Sequence, residues 1–242
     1  MTSALTGPFR SLLFAPGNHP RRVEKALGLS ADVVILDLED AVAIAEKVAT
    51  RSVVVDALQS ERTGLGYVRV NAYDTDFCFG DLLVVVAEGV DGIVLPKVET
   101  PAQLQSVDWV VGQLEREKGL PEGGIDIIPI IETGKGVASV HDIASTSTRI
   151  KRLSFGAGDY TKDMAMRWTR HESELAHARA EIAVASRAAG LEAPLDTVWI
   201  HIKETEGCIK SAELVCDMGF QGKLCIHPDQ VDPVNAVFTP SD

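Results

Sequence analysis

Asp126-Ile-Ile-Pro-Ile-Ile-Glu132-Thr-Gly134 is an almost wholly apolar run that stops at a carboxylate and then a glycine. So short a run, without polar alternation, reads as a strand buried on both faces, as strands of parallel sheets are. A charge at its end belongs where the strand leaves the core for a cleft. Arg149-Ile-Lys-Arg-Leu-Ser-Phe-Gly156-Ala-Gly158-Asp159 repeats the plan: a strand, glycines, then an acid. Successive parallel strands end on one rim, so Glu132 and Asp159 are expected a few ångströms apart. Two hard oxygen ligands with room for water suit Mg²⁺. Each acid could equally cap the helix that follows it.

Outward from this pair, strand and helix patterns alternate along the chain. Strands are expected at 11–14, 32–37, 66–71, 91–97, 126–132, 149–155, 195–200 and 223–227. Helices are expected from Pro20, over 43–58, 79–88, from Pro101, over 136–143, 172–189 and 204–218, with an irregular loop after Asp159. Eight βα units imply right-handed parallel crossovers that close into a (β/α)₈ TIM barrel, an α/β fold occupying 1–242 as a single domain. A doubly wound open sheet is the competing fold, but no G-x-G-x-x-G follows the first strand. Polar residues at the strand ends, among them Asn18, Asn71 and His201, should then meet at one mouth.

Composition narrows the function. The chain has 242 residues, with 23 Lys and Arg against 35 Asp and Glu, for a formal charge of −12. No basic block is present, which argues against nucleic acid or a membrane surface as partner. A phosphorylated ligand needs only a local basic patch. The four cysteines form no C-x-x-C pair and read as reduced, mostly buried thiols. No apolar run approaches the roughly 20 residues of a membrane span, and Met1–Phe9 lacks signal-peptide features, so a cytoplasmic location is expected.

Arg69, leaving a buried strand, could bind a carboxylate bidentately or pair internally with Asp37 or Glu39, and both could hold together. Lys97 could be an ion-pair partner in the same acidic mouth. Arg21, Arg22 and Lys25 could hold phosphates at the rim or form a solvated helix face. His227 could carry protons or serve as a structural hydrogen bonder. The charged runs 113–118 and 170–174 read as solvated faces.

These residues sit in stretches that resemble the citrate lyase beta-subunit-like proteins, within the HpcH/HpaI aldolase and malyl-CoA lyase group. The stretches are R-S-L-L-F-A-P-G-N at 10–18, V-V-I-L-D-L-E-D-A-V at 33–42, V-R-V-N at 68–71 and G-I-V-L-P-K-V-E at 92–99. I-E-T-G-K-G at 131–136, F-G-A-G-D at 155–159 and G-K-L-C-I-H-P-D-Q-V at 222–231 follow in order. The resemblance implies Mg²⁺ dependence and cleavage of a carbon–carbon bond in a 3-hydroxyacyl-CoA thioester. It assigns Glu132 and Asp159 to the metal, and Arg69 to the substrate's carboxylate or thioester oxygen. Phe14, Arg21 and Lys25 would follow the CoA arm, and a homotrimer is implied. Gly158 stands where the family often has an acid, which lowers the site's negative charge. A helical tail that carries a proton-transfer acid is expected to be missing, since the sequence ends at Asp242 with the eighth helix barely begun. A malyl-CoA-type thioesterase and a non-catalytic acyl-CoA-binding subunit are the other readings.

Overall fold

The computed structural model describes residues 9–240; residues 1–8, which hold most of the stretch searched for a signal peptide, and 241–242 lie outside the described residues. Eight parallel strands close a barrel in chain order. They are β1 (Ser11–Pro16), β2 (Val33–Asp37), β3 (Leu65–Arg69), β4 (Gly92–Leu95), β5 (Asp126–Ile131), β6 (Ser154–Phe155), β7 (Leu195–Asp196) and β8 (Gly222–Cys225). The seam closes where Ser11, Leu12 and Leu13 pair with Lys223, Leu224 and Cys225. Helices α1 (Pro20–Leu27), α2 (Lys47–Leu58), α3 (Cys78–Val85), α4 (Pro101–Glu117) and α5 (Gly134–Ala138) occupy the first connections. They are followed by α6 (Val140–Ser145), α7 (Ala157–Asp163), α8 (Ala176–Ala188), α9 (Thr205–Asp217) and α10 (Val231–Phe238). The expected (β/α)₈ barrel is formed.

Both faces of the strands are apolar because both are covered. Leu12, Ile35, Tyr67, Ile128 and Leu224 fill the barrel interior together with Phe9. Their neighbours Leu13, Leu36, Val68, Ile127 and Cys225 pack outward under the helices. This two-sided burial explains the unbroken apolar runs. Among the described residues no helix is long and apolar enough to cross a membrane. Cys78, Cys208 and Cys225 are buried, Cys216 is exposed, and all four are free thiols.

Several local expectations change. β6 and β7 shrink to two residues each. Upstream of β6, pairing is reduced to single bonds, such as Glu192 N–H to Lys151 O at 2.8 Å. Asp159 lies in the first turn of α7 rather than ahead of an irregular loop, with Gly156 as the N-cap. The eighth helix is formed: α10 runs for eight residues and packs on β1, β8 and α9.

The runs 113–118 and 170–174 are only partly solvated. Glu115 is fully buried, receives Arg149 at 2.6 Å and accepts the Gly123 and Ile125 N–H groups at 3.0 and 2.9 Å. Glu172 is buried against Arg179 at 2.8 Å and Ser211 at 2.7 Å. Arg179 in turn holds Asp196 through bonds of 2.8 and 2.9 Å, and Lys223 reaches the same carboxylate. At the barrel floor the buried Arg152 binds Asp126 at 2.7 Å and lies 3.6 Å from the Phe9 ring centroid. Tyr67 donates to the same Asp126 at 2.8 Å.

Burial pushes the Asp196 carboxyl up, but Lys223 and Arg179 outweigh it and hold the group below its ordinary value. Removing Asp196 strands the buried Lys223 and leaves Arg179 with Glu172 alone, so Asp196→Ala should cost about 3–5 kcal/mol in urea unfolding. A loss under about 1 kcal/mol would show that the cluster relaxes without its acid.

Candidate active site

At the carboxyl ends of the strands a cavity of about 470 Å³ opens, lined among others by Phe14, Asp37, Arg69, Glu132 and Asp159. Barrel enzymes keep their chemistry at this end. The side chains come from successive strand ends, and each is fixed by a neighbour.

Asp37 closes β2 and organises the turn after it. Its oxygens accept the Glu39 and Ala41 N–H groups, both at 2.9 Å. Arg69, at the end of β3, grips the same carboxylate in a fork, Nε to Oδ1 at 2.7 Å and Nη2 to Oδ2 at 2.6 Å. Such a fork fixes orientation as well as charge. A third nitrogen lies 3.0 Å from Glu39, and the guanidinium stands 4.9 Å from the Phe14 ring centroid. Burial would lower the Arg69 pKa, but Asp37 and then Glu39 raise it well above its ordinary value. Burial likewise pushes Asp37 up, and Arg69 more than reverses the effect. Beneath this turn the buried Lys47 ammonium donates to Leu38 O at 2.9 Å, Glu39 O at 2.6 Å and Asn71 Oδ1 at 2.6 Å.

Glu132 is the first residue past β5 and is only 5% exposed. A Cβ on Gly156 would fall 2.4 Å from Glu132 Oε2, so the start of α7 must be glycine for this carboxylate to fit. The Lys97 N–H donates to Glu132 Oε1 at 2.9 Å. The Lys97 ammonium lies 3.0 Å from Asp159 Oδ2 and also contacts Glu39. Lys97 adopts φ 52°, a left-handed conformation rare for a residue with a side chain. Burial pushes the Glu132 carboxyl up, the Glu39 charge adds to this, and Arg69 and Lys97 only partly oppose it, leaving its pKa at about 8. A carboxyl so short of compensating charge fits a site that takes a further cation. Glu132 and Asp159 supply two hard oxygens beside an open cavity, a donor set of the kind Mg²⁺ uses with water completing its shell. Among the described residues no group of three or more His, Cys, Asp and Glu side chains is assembled to hold an ion.

The other sequence candidates scatter. Arg22, rather than Arg21 or Lys25, lines the cavity. Arg21 borders an adjacent shallow concavity with His19 and Pro20, and Lys25 is exposed beside neither. Val23, Ala26 and Leu27 mark the buried face of α1, but only its docking decides which flanking arginine turns to the mouth. His227 caps the short 3₁₀ turn Pro228–Gln230, accepting the Asp229 N–H at 3.3 Å on Nδ1. His201 packs on Trp199, Asn18 binds Glu46, and Asn71 is buried against Asp81 and Lys47. Thr197, which sequence reasoning passed over, lines the cavity and accepts the Ala157 N–H at 2.8 Å, fixing the start of α7.

A closed parallel barrel whose rim joins an arginine, a lysine and several carboxylates is the framework of a barrel enzyme. The chain belongs to the HpcH/HpaI aldolase/citrate lyase family, whose model matches residues 10–228. It is 38% identical over 235 residues to the citrate lyase subunit beta of Leuconostoc mesenteroides subsp. cremoris, covering 96% of this chain and 78% of that one. It is 36% identical over 257 residues to an L-malyl-CoA/beta-methylmalyl-CoA lyase of Cereibacter sphaeroides, covering 97% and 80%. Among solved structures, CitE of Mycobacterium tuberculosis in complex with magnesium, acetoacetate and coenzyme A superposes with a TM-score of 0.79 at 31% identity, over 97% of this chain and 82% of that chain.

The metal-free fold keeps a proton on Glu132 that the unfolded chain releases near 4.5, so this group's contribution to stability is full below that pH and is lost as pH rises through about 8. Glu132→Gln is neutral throughout. In the metal-free state its melting temperature should gain on the wild type from pH 5 to pH 8. A difference that stays constant across that range would show that Glu132 is ionised in the metal-free fold.

Proposed function

We propose that the chain is a Mg²⁺-dependent carbon–carbon lyase that cleaves a 3-hydroxyacyl-CoA thioester to acetyl-CoA and a keto acid. The observation that carries this reading is the convergence of Arg69, Glu132 and Asp159, from three separate strand ends, on one cavity in a member of this family. The relatives support it, being a citrate lyase subunit and a malyl-CoA lyase. The structural relative with magnesium, acetoacetate and coenzyme A supports the same metal, keto-acid and CoA chemistry.

Glu132 and Asp159 would hold the Mg²⁺, which would supply Lewis-acid polarisation of the substrate's carboxylate and 3-hydroxyl oxygens. The hydroxyl proton passes to a base as the carbon–carbon bond breaks. The bond's electron pair becomes the enolate of acetyl-CoA, Arg69 faces that developing negative charge, and protonation of the enolate carbon, replacing the proton taken by the base, completes acetyl-CoA. Because Asp37 and Phe14 already fix the guanidinium, little reorganisation is needed when the charge appears. Phe14 and Arg22, which line the cavity, would border the CoA arm, with Arg21 at the adjacent concavity. We assign the working form to a homotrimer, and the compartment to the cytoplasm.

Purified protein given Mg²⁺ and a panel of citryl-, malyl-, citramalyl- and 3-hydroxy-3-methylglutaryl-CoA should yield acetyl-CoA and a keto acid from at least one. EDTA should abolish the yield. Free CoA with the acyl acid intact would instead mean thioester hydrolysis. Arg69→Ala should lower kcat/KM by about 100-fold or more, on the scale of a lost oxyanion donor. Arg69→Lys, which keeps a cation beside Asp37, should retain the fold and still lose most of the rate. A kcat/KM within threefold of wild type in both variants would remove Arg69 from the chemistry.

A further inference from the structure

Lys97 occupies a place that its conformation does not favour. It follows Leu95-Pro96 at the end of β4 with φ 52°, in the left-handed region. Its surroundings hold it there through both ends of the residue. The backbone N–H is committed to Glu132, and the ammonium touches Glu39 and Asp159. One residue therefore contacts three carboxylates that face one another across the rim. Two of these three are the oxygens assigned above to the metal.

An ammonium ion-paired with Asp159 and a divalent cation bound through the same carboxylate repel each other strongly at such range. The two can coexist only if one gives way. The lysine can move, because its side chain is one-third exposed and sits on a flexible stem. It also has somewhere to go, since its contact with Glu39 is independent of Asp159. The backbone bond to Glu132 does not depend on the side chain at all.

We propose that Lys97 is the resident counter-ion of the metal-free site, and that Mg²⁺ binds by displacing its ammonium from Asp159 while its contact with Glu39 is kept. This rests on the assignment of Glu132 and Asp159 to Mg²⁺. Lys97 then acts on the metal as a competitor, the opposite of a residue that merely holds Asp159 in place. The two roles predict effects of opposite sign on metal affinity.

The test is calorimetric titration of the metal-free protein with Mg²⁺ alone, in wild type and in Lys97→Met. Methionine keeps an unbranched stem and the backbone donor to Glu132, and removes the ammonium with its charge and its donors. Displacement predicts that the variant binds Mg²⁺ at least about fivefold more tightly. Lys97→Gln, which retains amide donors toward Glu39 and Asp159, is measured in parallel should the methionine variant not fold without metal, with the same expectation. Affinity weaker than wild type, or tighter by less than fivefold, overturns the counter-ion role and leaves the metal assignment standing. A wild-type protein that takes up no Mg²⁺ overturns both.

Discussion

The rim of the barrel is governed by the balance between its carboxylates and the cations set among them. Asp37, Glu39, Glu132 and Asp159 face Arg69 and Lys97 across a partly enclosed cleft. In such a place a carboxylate without a partner either takes up a proton or is driven apart from its neighbours. Asp37 escapes this through the Arg69 fork and two backbone N–H groups. Glu132 has one backbone donor and no direct side-chain cation, and it is the group left with a raised pKa. The rim is thus saturated at one end and deficient at the other, and the cavity is lined by both.

The scaffold beneath makes this imbalance tolerable. The elements that carry the rim residues are anchored by neighbours, some beneath the cleft and one, Thr197, in its wall. Lys47 holds the turn after β2 by three bonds, Asp81 holds Asn71, and Thr197 tethers the start of α7. Gly156 leaves out a Cβ that would collide with Glu132. Placement by such a second layer is what keeps functional groups within the narrow tolerance their chemistry requires.

Much of this was legible in the sequence, for a physical reason. A parallel barrel buries both faces of its strands, so each strand is an apolar run, and the acid or base that ends it marks the rim. That logic located β1 to β5 and β8, together with Asp37, Arg69, Lys97, Glu132 and Asp159. It overestimated β6 and β7, because an extended, buried segment need not be hydrogen-bonded on both sides. It misjudged Glu115 and Glu172, since a charged residue in a polar run reads as solvated until its partner is known. Arg149, 34 residues beyond Glu115, and Arg179, on the helix after Glu172, are those partners. The resemblance favoured Arg21 and Lys25 over Arg22, and periodicity could not choose among the three, because it gives the buried face of α1 but not the rotation of its shoulders.

The floor beneath the cleft has a consequence for traffic. Phe9, Tyr67, Asp126 and Arg152 are all buried, and they seal the amino-terminal end of the barrel with an aromatic and ionic plug. Among the described residues the chamber above is closed at its floor and open at the rim. Whatever enters reaches its innermost contacts head first and must back out the same way. A reaction that splits its substrate there would leave the inner fragment waiting behind the outer one, so the order of departure is written into the shape of the vessel before any residue touches the bond.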